Sequence, residues 1–246
     1  MRIAVAIAAV LDPKWPIELD GEGRPLFRPD RLILSPFDES ALEIALRLRD
    51  LDPEGVSISA IVTAEKIART LAAFRIDDIA ILDIPFDATC DACSTAAALA
   101  GALDGQADLV LIGREFGDCD DGAVPPLLAR LLDRPFFGRV QDVKAGTGLL
   151  REGLDEEEVV ALSAPILCSV TNDRRNRLRK PLMKNVVTAR TAQFRTMRLL
   201  AAETPDFEGL RLVADARKPV QCEMAQGEPQ AIAALLAARI REAKAA

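Results

Sequence analysis

Two short segments of the sequence carry the polar residues best suited to binding a ligand. In the first, Ser35, Pro36, Phe37, Asp38 and Glu39 come directly before a stretch of helical periodicity. Serine or aspartate can cap the free amides of a helix, and proline stiffens its first turn. At the carboxyl edge of a sheet, the same amides can instead face a bound nucleotide. Local chemistry alone favours the cap, because caps are far commoner than ligand sites.

The second segment covers residues 113–124 and reads Gly-Arg-Glu-Phe-Gly-Asp-Cys-Asp-Asp-Gly-Ala-Val. Its glycines and the helix that follows can present backbone amides to a phosphate. Asp118, Asp120 and Asp121 would repel a phosphate if they pointed at it. We therefore expect them to turn away, to cap the helix, or to accept hydrogen bonds from a ribose hydroxyl or an amine. Catalysis by paired carboxylates is disfavoured, because no group that could stabilise an electrophile lies nearby.

The residue types that are missing exclude whole classes of enzyme. The 246-residue chain has no histidine and no tyrosine, and Trp15 is its one tryptophan. Triads with a histidine base, zinc sites with histidine ligands and histidine proton shuttles are therefore excluded. The spacings G-x-G-x-x-G and G-x-x-x-x-G-K are also missing, which disfavours an ordinary NAD or P-loop enzyme. We therefore assign no catalytic residue and no metal site.

The composition predicts a soluble protein of the cytoplasm. Half of the residues are hydrophobic, and the formal net charge is -7. The five cysteines are scattered, and Cys90 and Cys93 form a C-x-x-C without the further ligands or context of a zinc or redox site. The apolar start runs directly into Asp12 and Pro13 without a cleavage pattern, and no apolar run reaches the roughly 18 residues of a membrane span.

The elements that must position the two segments follow a β-α-β rhythm. Apolar runs of strand length occupy residues 3–8, 56–62, 79–84, 108–112 and 165–170. Segments of helical period occupy residues 41–48, 67–74, 96–103 and 127–132. This alternation predicts an α/β fold with a doubly wound, mostly parallel sheet. The ligand crevice of such a sheet lies at the carboxyl ends of its strands.

Two regions interrupt this rhythm, and a long tail follows it. Residues 15–28 and 140–162 are predicted to be inserted hairpins, because apolar residues flank central glycines. The tail shows no strong period before an alanine-rich amphipathic helix at residues 228–246. We therefore predict a nucleotide-binding domain over residues 1–196 and, over residues 197–246, a C-terminal arm that wraps a partner and ends in a helix.

A basic segment at residues 172–184 stands out in this acidic protein. Its cations are Arg174, Arg175, Arg177, Arg179, Lys180 and Lys184. Nucleic-acid binding is disfavoured, since the segment has no interleaved aromatic residues and the net charge of the chain is negative. A solvated loop is one interpretation. We favour electrostatic contact with an acidic partner protein.

Taken together and in order, these segments resemble the β subunit of electron transfer flavoproteins, including the subunits associated with nitrogen fixation. The resemblance rests on R-I-A-V-A at residue 2, L-x-L-S-P-F-D-E-S-A-L-E-I-A-L-R-L at 32–48, A-D-L-V-L-I-G-R at 107–114, the aspartate-rich loop, and P-I-L-C-S-V-T at 165–171. L-M-K at 182–184 is similar to the family's I-M-K, which follows its N-x-x-R, here at residues 176–179. The matching segments span nearly the whole chain.

The resemblance implies a subunit without turnover of its own that pairs with an α subunit. The α subunit would hold most of an FAD whose ring lies near the interface. The β subunit would bury an AMP or, in electron-bifurcating members, a second FAD. Electrons would pass from a flavin dehydrogenase to an acceptor of the quinone-reductase type. The partner-docking residues implied are Arg177, Arg179, Lys180, Leu182, Met183 and Lys184.

The family's nucleotide contacts transfer to positions at the sheet edge. Ala6 would close the first strand beneath the adenine, Ser35, Pro36, Phe37, Asp38 and Ile61 would flank it, and Gly113, Arg114, Asp118, Asp120, Gly122, Ala123 and Val124 would line the phosphate loop. The family usually has Gln-Thr-Gly or Gln-Val-Gly where this chain has Ala123, Val124 and Pro125. Pro125 contributes no amide, although the other backbone amides could still serve.

Two further departures bear on the partners and the fold class. The docking loop is shortened, and Lys180 replaces the family's apolar residue before the proline, which favours another flavin dehydrogenase over an acyl-CoA dehydrogenase as donor.

The alternatives to an electron-transfer subunit are a stand-alone nucleotide-binding regulator with a stress-protein-like topology and an ATP-using enzyme of the same fold class. A stand-alone regulator would leave the basic segment and the tail unexplained. An ATP-using enzyme would need a Ser-Gly-Gly loop after its first strand, which this sequence lacks.

Overall fold

The computed structural model describes residues 1–16, 18–19, 26, 28–84, 91–103, 105, 107–144, 148–152, 157–162, 164–198 and 224–245. Its centre is a seven-stranded parallel sheet with the order β12-β5-β4-β1-β6-β11-β7. The strands are β1 (Arg2–Ile7), β4 (Ser57–Val62), β5 (Asp78–Leu82), β6 (Leu109–Gly113), β7 (Phe136–Val140), β11 (Ile166–Val170) and β12 (Arg195–Met197). The predicted α/β fold with a doubly wound parallel sheet is confirmed, and the five predicted strands agree with it to within two residues.

The central strands are continuous apolar runs because helices cover both of their faces. β1 pairs with β4 on one side and with β6 on the other, so that Ala6 lies between Ile61 and Ile112. The chain runs from β1 outwards to β4 and β5, then crosses back to β6 on the other side of β1. The order in which strands are added therefore reverses between β1 and β6, and open α/β sheets form their ligand crevice at such a point.

The described residues form six α-helices. They are α1 (Pro36–Leu51), α2 (Glu65–Ala72), α3 (Ala92–Ala102), α4 (Val124–Leu131), α5 (Met183–Ala189) and α6 (Pro229–Ala245). Apolar residues of α1 and α2 pack in one core cluster, whereas those of α3 and α4 pack with Ala4, Ala6 and Ala8 in the other. The helix α5 contacts α2. The helical segments predicted from the period are therefore confirmed, and they divide between the two faces.

Smaller antiparallel sheets sit beside the main one. β2 (Ala9–Leu11) pairs with β3 (Leu32–Leu34), so the residues predicted as the first hairpin lie between two paired strands, although most of that hairpin's tip falls outside the described residues. The second predicted hairpin is a three-stranded sheet of β8 (Asp142–Lys144), β9 (Gly148–Glu152) and β10 (Glu157–Val160). Its residues Val143 and Leu149 join the core cluster of α1 and α2.

The start of the tail contains a strand that the sequence pattern did not predict. The strand β12 pairs with β5 at the sheet edge, and the amide of Asp83 donates to the Met197 carbonyl at 3.0 Å. The predicted domain boundary after residue 196 therefore falls inside β12. The C-terminal helix is confirmed as α6. The predicted wrapping arm between β12 and α6 lies outside the described residues over 199–223.

Within the described ranges, no helix is both long and apolar enough to cross a membrane. The same part of the chain contains no group of three or more acidic or cysteine side chains that could hold a metal ion. Cys93 is an exposed free thiol and Cys168 a buried one, whereas Cys119 is disulfide-bonded, which the scattered cysteine spacing did not indicate. Cys90, the other half of the C-x-x-C, lies outside the described residues.

Candidate functional site

The crevice between β1 and β6 brings together the two polar segments singled out in the sequence. Ala6 is buried in β1, and its neighbour Ile61 is buried at the end of β4. Just beyond these strands, the amide of Ala9 donates to the Thr63 hydroxyl at 2.8 Å, which ties the chain after β1 to the chain after β4. The strand ends are therefore small and apolar, and a hydrogen bond joins the segments that follow β1 and β4.

Ser35 caps the helix α1, as local chemistry predicts. Its Oγ accepts a hydrogen bond from the Asp38 amide at 3.1 Å and donates to Asp38 Oδ2 at 2.8 Å. Pro36 occupies the first helical turn, where no amide hydrogen is needed. The segment therefore enters the helix directly at the crevice, with the Asp38 side chain turned inwards.

Asp38 is fully buried, with a relative exposure of 0%. Burial raises the pKa of this carboxyl from 3.8 to about 8, against the lowering influence of the Ser35 side chain and of the backbone amides of Ala8, Gly113 and Ser35. The neighbouring amides do not reach Oδ1 with hydrogen-bond geometry, and Oδ1 has no hydrogen-bond partner among the described residues. A buried carboxyl in this state is mostly protonated at neutral pH.

The loop after β6 starts with Gly113, which is buried against Asp38. A Cβ on this glycine would stand 2.7 Å from Asp38 Oδ1 and 3.1 Å from the Phe37 Cβ, so no side chain fits there. The next residue, Arg114, donates its amide to the Val170 carbonyl at 2.8 Å, which extends the β6–β11 pairing. Its guanidinium is partly exposed and lies 3.7 Å from the carboxylate of Glu115.

The aspartates of this loop bind its own backbone. Asp120 Oδ1 accepts hydrogen bonds from the amides of Gly122, Ala123 and Val124 at 3.1, 2.8 and 3.2 Å, and Oδ2 accepts one from Phe116 at 2.8 Å. Asp120 thus caps α4, one of the three roles expected for these acids.

Asp118 turns towards the neighbouring sheet. Its Oδ2 accepts a hydrogen bond from the Leu11 amide at 2.9 Å, which links the loop to β2. Partial burial raises the pKa of Asp118, opposed by this hydrogen bond. Asp121 is exposed and has no hydrogen bond or ion pair with a described residue. The three aspartates therefore differ, and Asp120 alone is directed into the turn that starts α4.

Two parts of the crevice are predicted to contact an adenine nucleotide. At the strand ends, Ala6 and Ile61 are apolar and buried, and they pack in the core cluster of α3 and α4. The α4 end does not fit a phosphate as it stands, because Asp120 already holds the three amides that the sequence offered for that purpose. Contact of these residues with a nucleotide remains a prediction.

The predicted docking segment is anchored through a buried asparagine. Asn176 Nδ2 donates to the Gln141 carbonyl at 2.5 Å, and its Oδ1 accepts from Arg47 of α1 at 2.7 Å. The same guanidinium lies 2.6 Å from Asp142. The chain after β11 is therefore tied to α1 and to β8 at once.

Arg179 forms a second anchor. Its backbone amide and guanidinium donate to the Glu43 carboxylate of α1 at 2.7 to 3.1 Å, and the guanidinium also pairs with Asp50. The hydrogen bond to Glu43, followed by that to Asp50, raises the pKa of Arg179. Burial raises the pKa of Glu39, which Arg177 opposes. The acids at positions 39, 43 and 50 share one face of α1, a spacing that marks an acidic face in the sequence but does not specify its partner.

The other docking residues face outwards. Leu182 and Met183 are 62% and 75% exposed, and Val187 in the next turn of α5 is also exposed. Lys180 and Lys184 are exposed on either side of the apolar pair. We call Lys180, Leu182, Met183, Lys184 and Val187 the docking patch. It combines an apolar centre with a basic rim, a combination found in protein interfaces.

Comparison with known proteins identifies the family. Residues 28–202 match the electron transfer flavoprotein domain. The chain is 27% identical over 213 residues to the electron transfer flavoprotein subunit beta of Syntrophomonas wolfei, covering 83% of this chain and 82% of the relative. It is 30% identical over 196 residues to the corresponding subunit of Thermoanaerobacterium thermosaccharolyticum (77% and 75%), and 29% identical over 174 residues to Protein FixA of Azorhizobium caulinodans (65% and 62%). The family resemblance inferred from the sequence motifs is confirmed, and the chain belongs to the electron transfer flavoprotein family, with its similarity to the β subunits.

Proposed function

We propose that this chain is the β subunit of a heterodimeric electron transfer flavoprotein. It pairs with an α subunit, completes the site of an FAD held mainly by that subunit, and has no turnover of its own. The complex carries electrons from a flavin dehydrogenase to an acceptor of the quinone-reductase type. The observation that carries the proposal is the family match over residues 28–202, which includes the start of α1, the loop after β6 and the docking patch.

The FAD supplies the redox chemistry of the complex, and the residues of this chain bind the ligands and hold them in position. Ala6 and Ile61 form the floor for the adenosine part of a second ligand, which the family resemblance gives as AMP or a second FAD. Ser35 and Asp38 fix the start of α1 at the crevice, and Gly113 lets the end of β6 approach Asp38 closely. None of these groups needs to change its protonation state during electron transfer.

The docking patch is the surface proposed for the dehydrogenase donor. Leu182 and Met183 provide apolar contact area, while Lys180 and Lys184 attract an acidic partner. Arg179 takes part indirectly, because its guanidinium holds the segment against Glu43 and Asp50. Arg177 is exposed and stands near Glu39. The segment is thus fixed in place before a donor arrives.

The exposed apolar side of α6 favours a protein that always has a partner. Leu235, Leu236 and Ile240 are about half exposed, although they share one side of the helix. A stand-alone regulator would leave this apolar side in water, whereas an α subunit would cover it. The proposal therefore assigns α6 to the heterodimer interface.

The test is to produce the chain alone and together with its α subunit, and to measure flavin absorbance after gel filtration. We expect no flavin on the isolated chain and one FAD per heterodimer, with reduction by a flavin dehydrogenase observed only for the heterodimer. Full flavin occupancy of the isolated chain would contradict the proposal, as would the failure of the two chains to co-elute.

A further inference from the structure

We propose that Arg139 extends the donor-docking surface, as a cation that a bulge in the edge strand β7 holds ready for a carboxylate of the flavin dehydrogenase. The proposal rests on the proposed function for the identity of the partner. It concerns one exposed arginine, the strained backbone that carries it, and the hydrogen bonds that join its strand to the docking segment at residues 172–184.

Arg139 has a left-handed backbone inside a β-strand. Its φ is +60°, and it lies next to the last residue of β7 (Phe136–Val140). Among the described residues, the other non-glycine residues with a positive φ are Arg75 and Asp133, and each follows the end of a helix, where a left-handed residue is common. No helix end explains the conformation of Arg139. Strain of this kind concentrates where function requires it.

The strain belongs to a bulge at the edge of the main sheet. Two residues of β7, Gly138 and Arg139, lie opposite the single residue Ser169 of β11, where the register of the two strands shifts. The Oγ of the buried Ser169 accepts a hydrogen bond from the Arg139 amide at 3.0 Å, which fixes the bulge. The left-handed conformation falls on the arginine, although the residue before it is a glycine. Edge-strand bulges redirect side chains, and the side chain at this bulge is a cation.

The Arg139 guanidinium has no partner among the described residues. Arg139 is exposed, and its side chain forms no hydrogen bond or ion pair with any of them. Arg151 behaves differently, since it donates to the Gly138 carbonyl at 3.3 Å, pairs with Glu158 and stacks 4.7 Å from the centre of the Phe137 ring. One arginine beside the bulge therefore stabilises the chain itself, whereas Arg139 is available to another molecule.

The end of β7 is bonded to the docking segment. Asn176 Nδ2 donates to the Gln141 carbonyl at 2.5 Å. Arg139 lies two positions before Gln141, and Arg174 lies two positions before Asn176. Arg174 and Arg177 flank the buried asparagine, and both are exposed. Arg139 therefore lies on the strand directly beside the docking segment and adds to its basic surface.

The charges favour an acidic protein surface as the partner of Arg139. Neither Arg139 nor Arg174 has a counterion among the described residues, and the docking patch adds Lys180 and Lys184 at its rim. A carboxylate matches the fork of donors on a guanidinium. Charges at the rim of an interface act mainly on the rate of association and on its salt dependence. We therefore expect Arg139 to affect capture of the donor and not the steps that follow docking.

The test is the steady-state reduction of the FAD-loaded heterodimer by a flavin dehydrogenase, measured at low and at high ionic strength. Arg139→Asn removes the charge and keeps a residue type that tolerates a left-handed backbone. We expect its KM for the heterodimer to rise about threefold to fivefold at low ionic strength, with unchanged kcat. The difference should vanish at high ionic strength, because salt screens exposed charges. Arg139→Lys keeps the charge and should recover most of the loss.

Arg75→Asn is the matched control. Arg75 is also an exposed arginine with a left-handed backbone, at a φ of +57°, and its side chain forms no hydrogen bond or ion pair with a described residue. It lies between α2 and β5, at the amino-terminal edge of the sheet, whereas Arg139 lies near the carboxyl end of β7. Arg75→Asn should therefore leave the KM unchanged at both ionic strengths.

Three results would overturn the proposal. They are an equal KM for wild type and Arg139→Asn at low ionic strength, a rise that persists at high ionic strength or that Arg75→Asn shows as well, and loss of co-elution with the α subunit in Arg139→Asn, which would assign the arginine to the heterodimer interface. If Arg139→Asn fails to fold, Arg139→Gly replaces it, because glycine suits the left-handed backbone. A wild-type heterodimer that no flavin dehydrogenase reduces would instead refute the proposed function, so the two failures are distinguishable.

Discussion

Asp38 Oδ1 occupies the space that a side chain at Gly113 would need. The two residues come from different elements, the first turn of α1 and the last position of β6, and a Cβ on the glycine would stand 2.7 Å from the carboxylate oxygen. The backbone of β6 and the start of α1 therefore meet at a distance that only glycine permits.

Replacing Gly113 by alanine should destabilise the chain. The added methyl group collides with a fully buried carboxyl and with the Phe37 side chain, so we expect a loss of about 1 to 3 kcal/mol in the free energy of unfolding, measured by urea denaturation. Gly105→Ala is the matched control, because a Cβ there meets nothing within 4 Å. Equal effects of the two substitutions would contradict the close approach.

The raised pKa of Asp38 should make stability depend on pH. The folded chain keeps this carboxyl protonated up to a pKa of about 8, whereas the unfolded chain releases the proton near 3.8. The contribution of the Asp38 carboxyl to the free energy of unfolding is therefore fully present below pH 4 and is lost as the pH rises towards 8. Asp38→Asn cannot ionise, so its stability relative to the wild type should rise by several kcal/mol, roughly 3 to 6, between pH 4 and pH 8.

Urea unfolding at intervals of one pH unit measures this difference. Asp121→Asn, at an exposed position, should show no comparable rise relative to the wild type. A constant difference between wild type and Asp38→Asn across the range would show that the Asp38 pKa is not raised.

Arg179 should be required for order in the docking segment. Arg179→Gln leaves the buried Glu43 carboxylate without its guanidinium partner, for which we expect a loss of about 1 to 3 kcal/mol and faster hydrogen exchange over residues 174–184. Arg174→Gln is the control, because Arg174 is exposed and forms no ion pair with a described residue. The double variant with Glu43→Gln should regain part of the loss. No recovery would argue against direct pairing.

The apolar centre of the docking patch should determine how well the donor binds. We expect Met183→Ser and Leu182→Ser each to raise the KM of the dehydrogenase for the heterodimer by about tenfold, with little change in kcat, because the lost contacts lie in the interface and outside the fold. Leu51→Ser, at the exposed end of α1, removes a similar area elsewhere and should have no effect. An unchanged KM in both docking variants would move the donor site away from α5.

The C-terminal arm should be needed for the heterodimer but not for the sheet. Truncation after Arg198 spares β12 and its pairing with β5, and it also spares the 3.0 Å ion pair between Arg198 and Asp83. We expect the truncated chain to keep the circular dichroism spectrum of its α/β core and to lose co-elution with the α subunit. Full co-elution of the truncated chain would assign the interface to the main domain.

Much of the fold could be predicted because buried strands and amphipathic helices leave clear periods in the sequence. Ser35 could be recognised as a cap because capping is local. The strand β12 could not be found, since it is three residues long, lies at the edge, and is largely exposed. The pairing of Arg179 with Glu43 joins residues 136 positions apart, and no local pattern specifies such a contact.

The role of Asp120 shows a different limit. The sequence left three outcomes open for the loop aspartates, and all three are compatible with the same residue types. The choice depends on whether the turn at residues 120–124 brings successive amides to one point, which is a property of backbone angles. Gly122, with a φ of +100°, supplies the conformation that closes the turn. Three-dimensional structure was needed to separate Asp120 from its neighbours Asp118 and Asp121.

The helix α1 begins in the crevice with Asp38 and carries Glu43 and Asp50 beneath the docking segment, roughly one and three turns further along. One helix therefore joins the crevice to the segment that carries the docking patch. Neither end can shift without bending α1 or breaking the ion pairs of Arg179 with Glu43 and Asp50. The distance between the start of α1 at the crevice and the Arg179 anchor of the predicted docking segment is thus set by the fold of this chain.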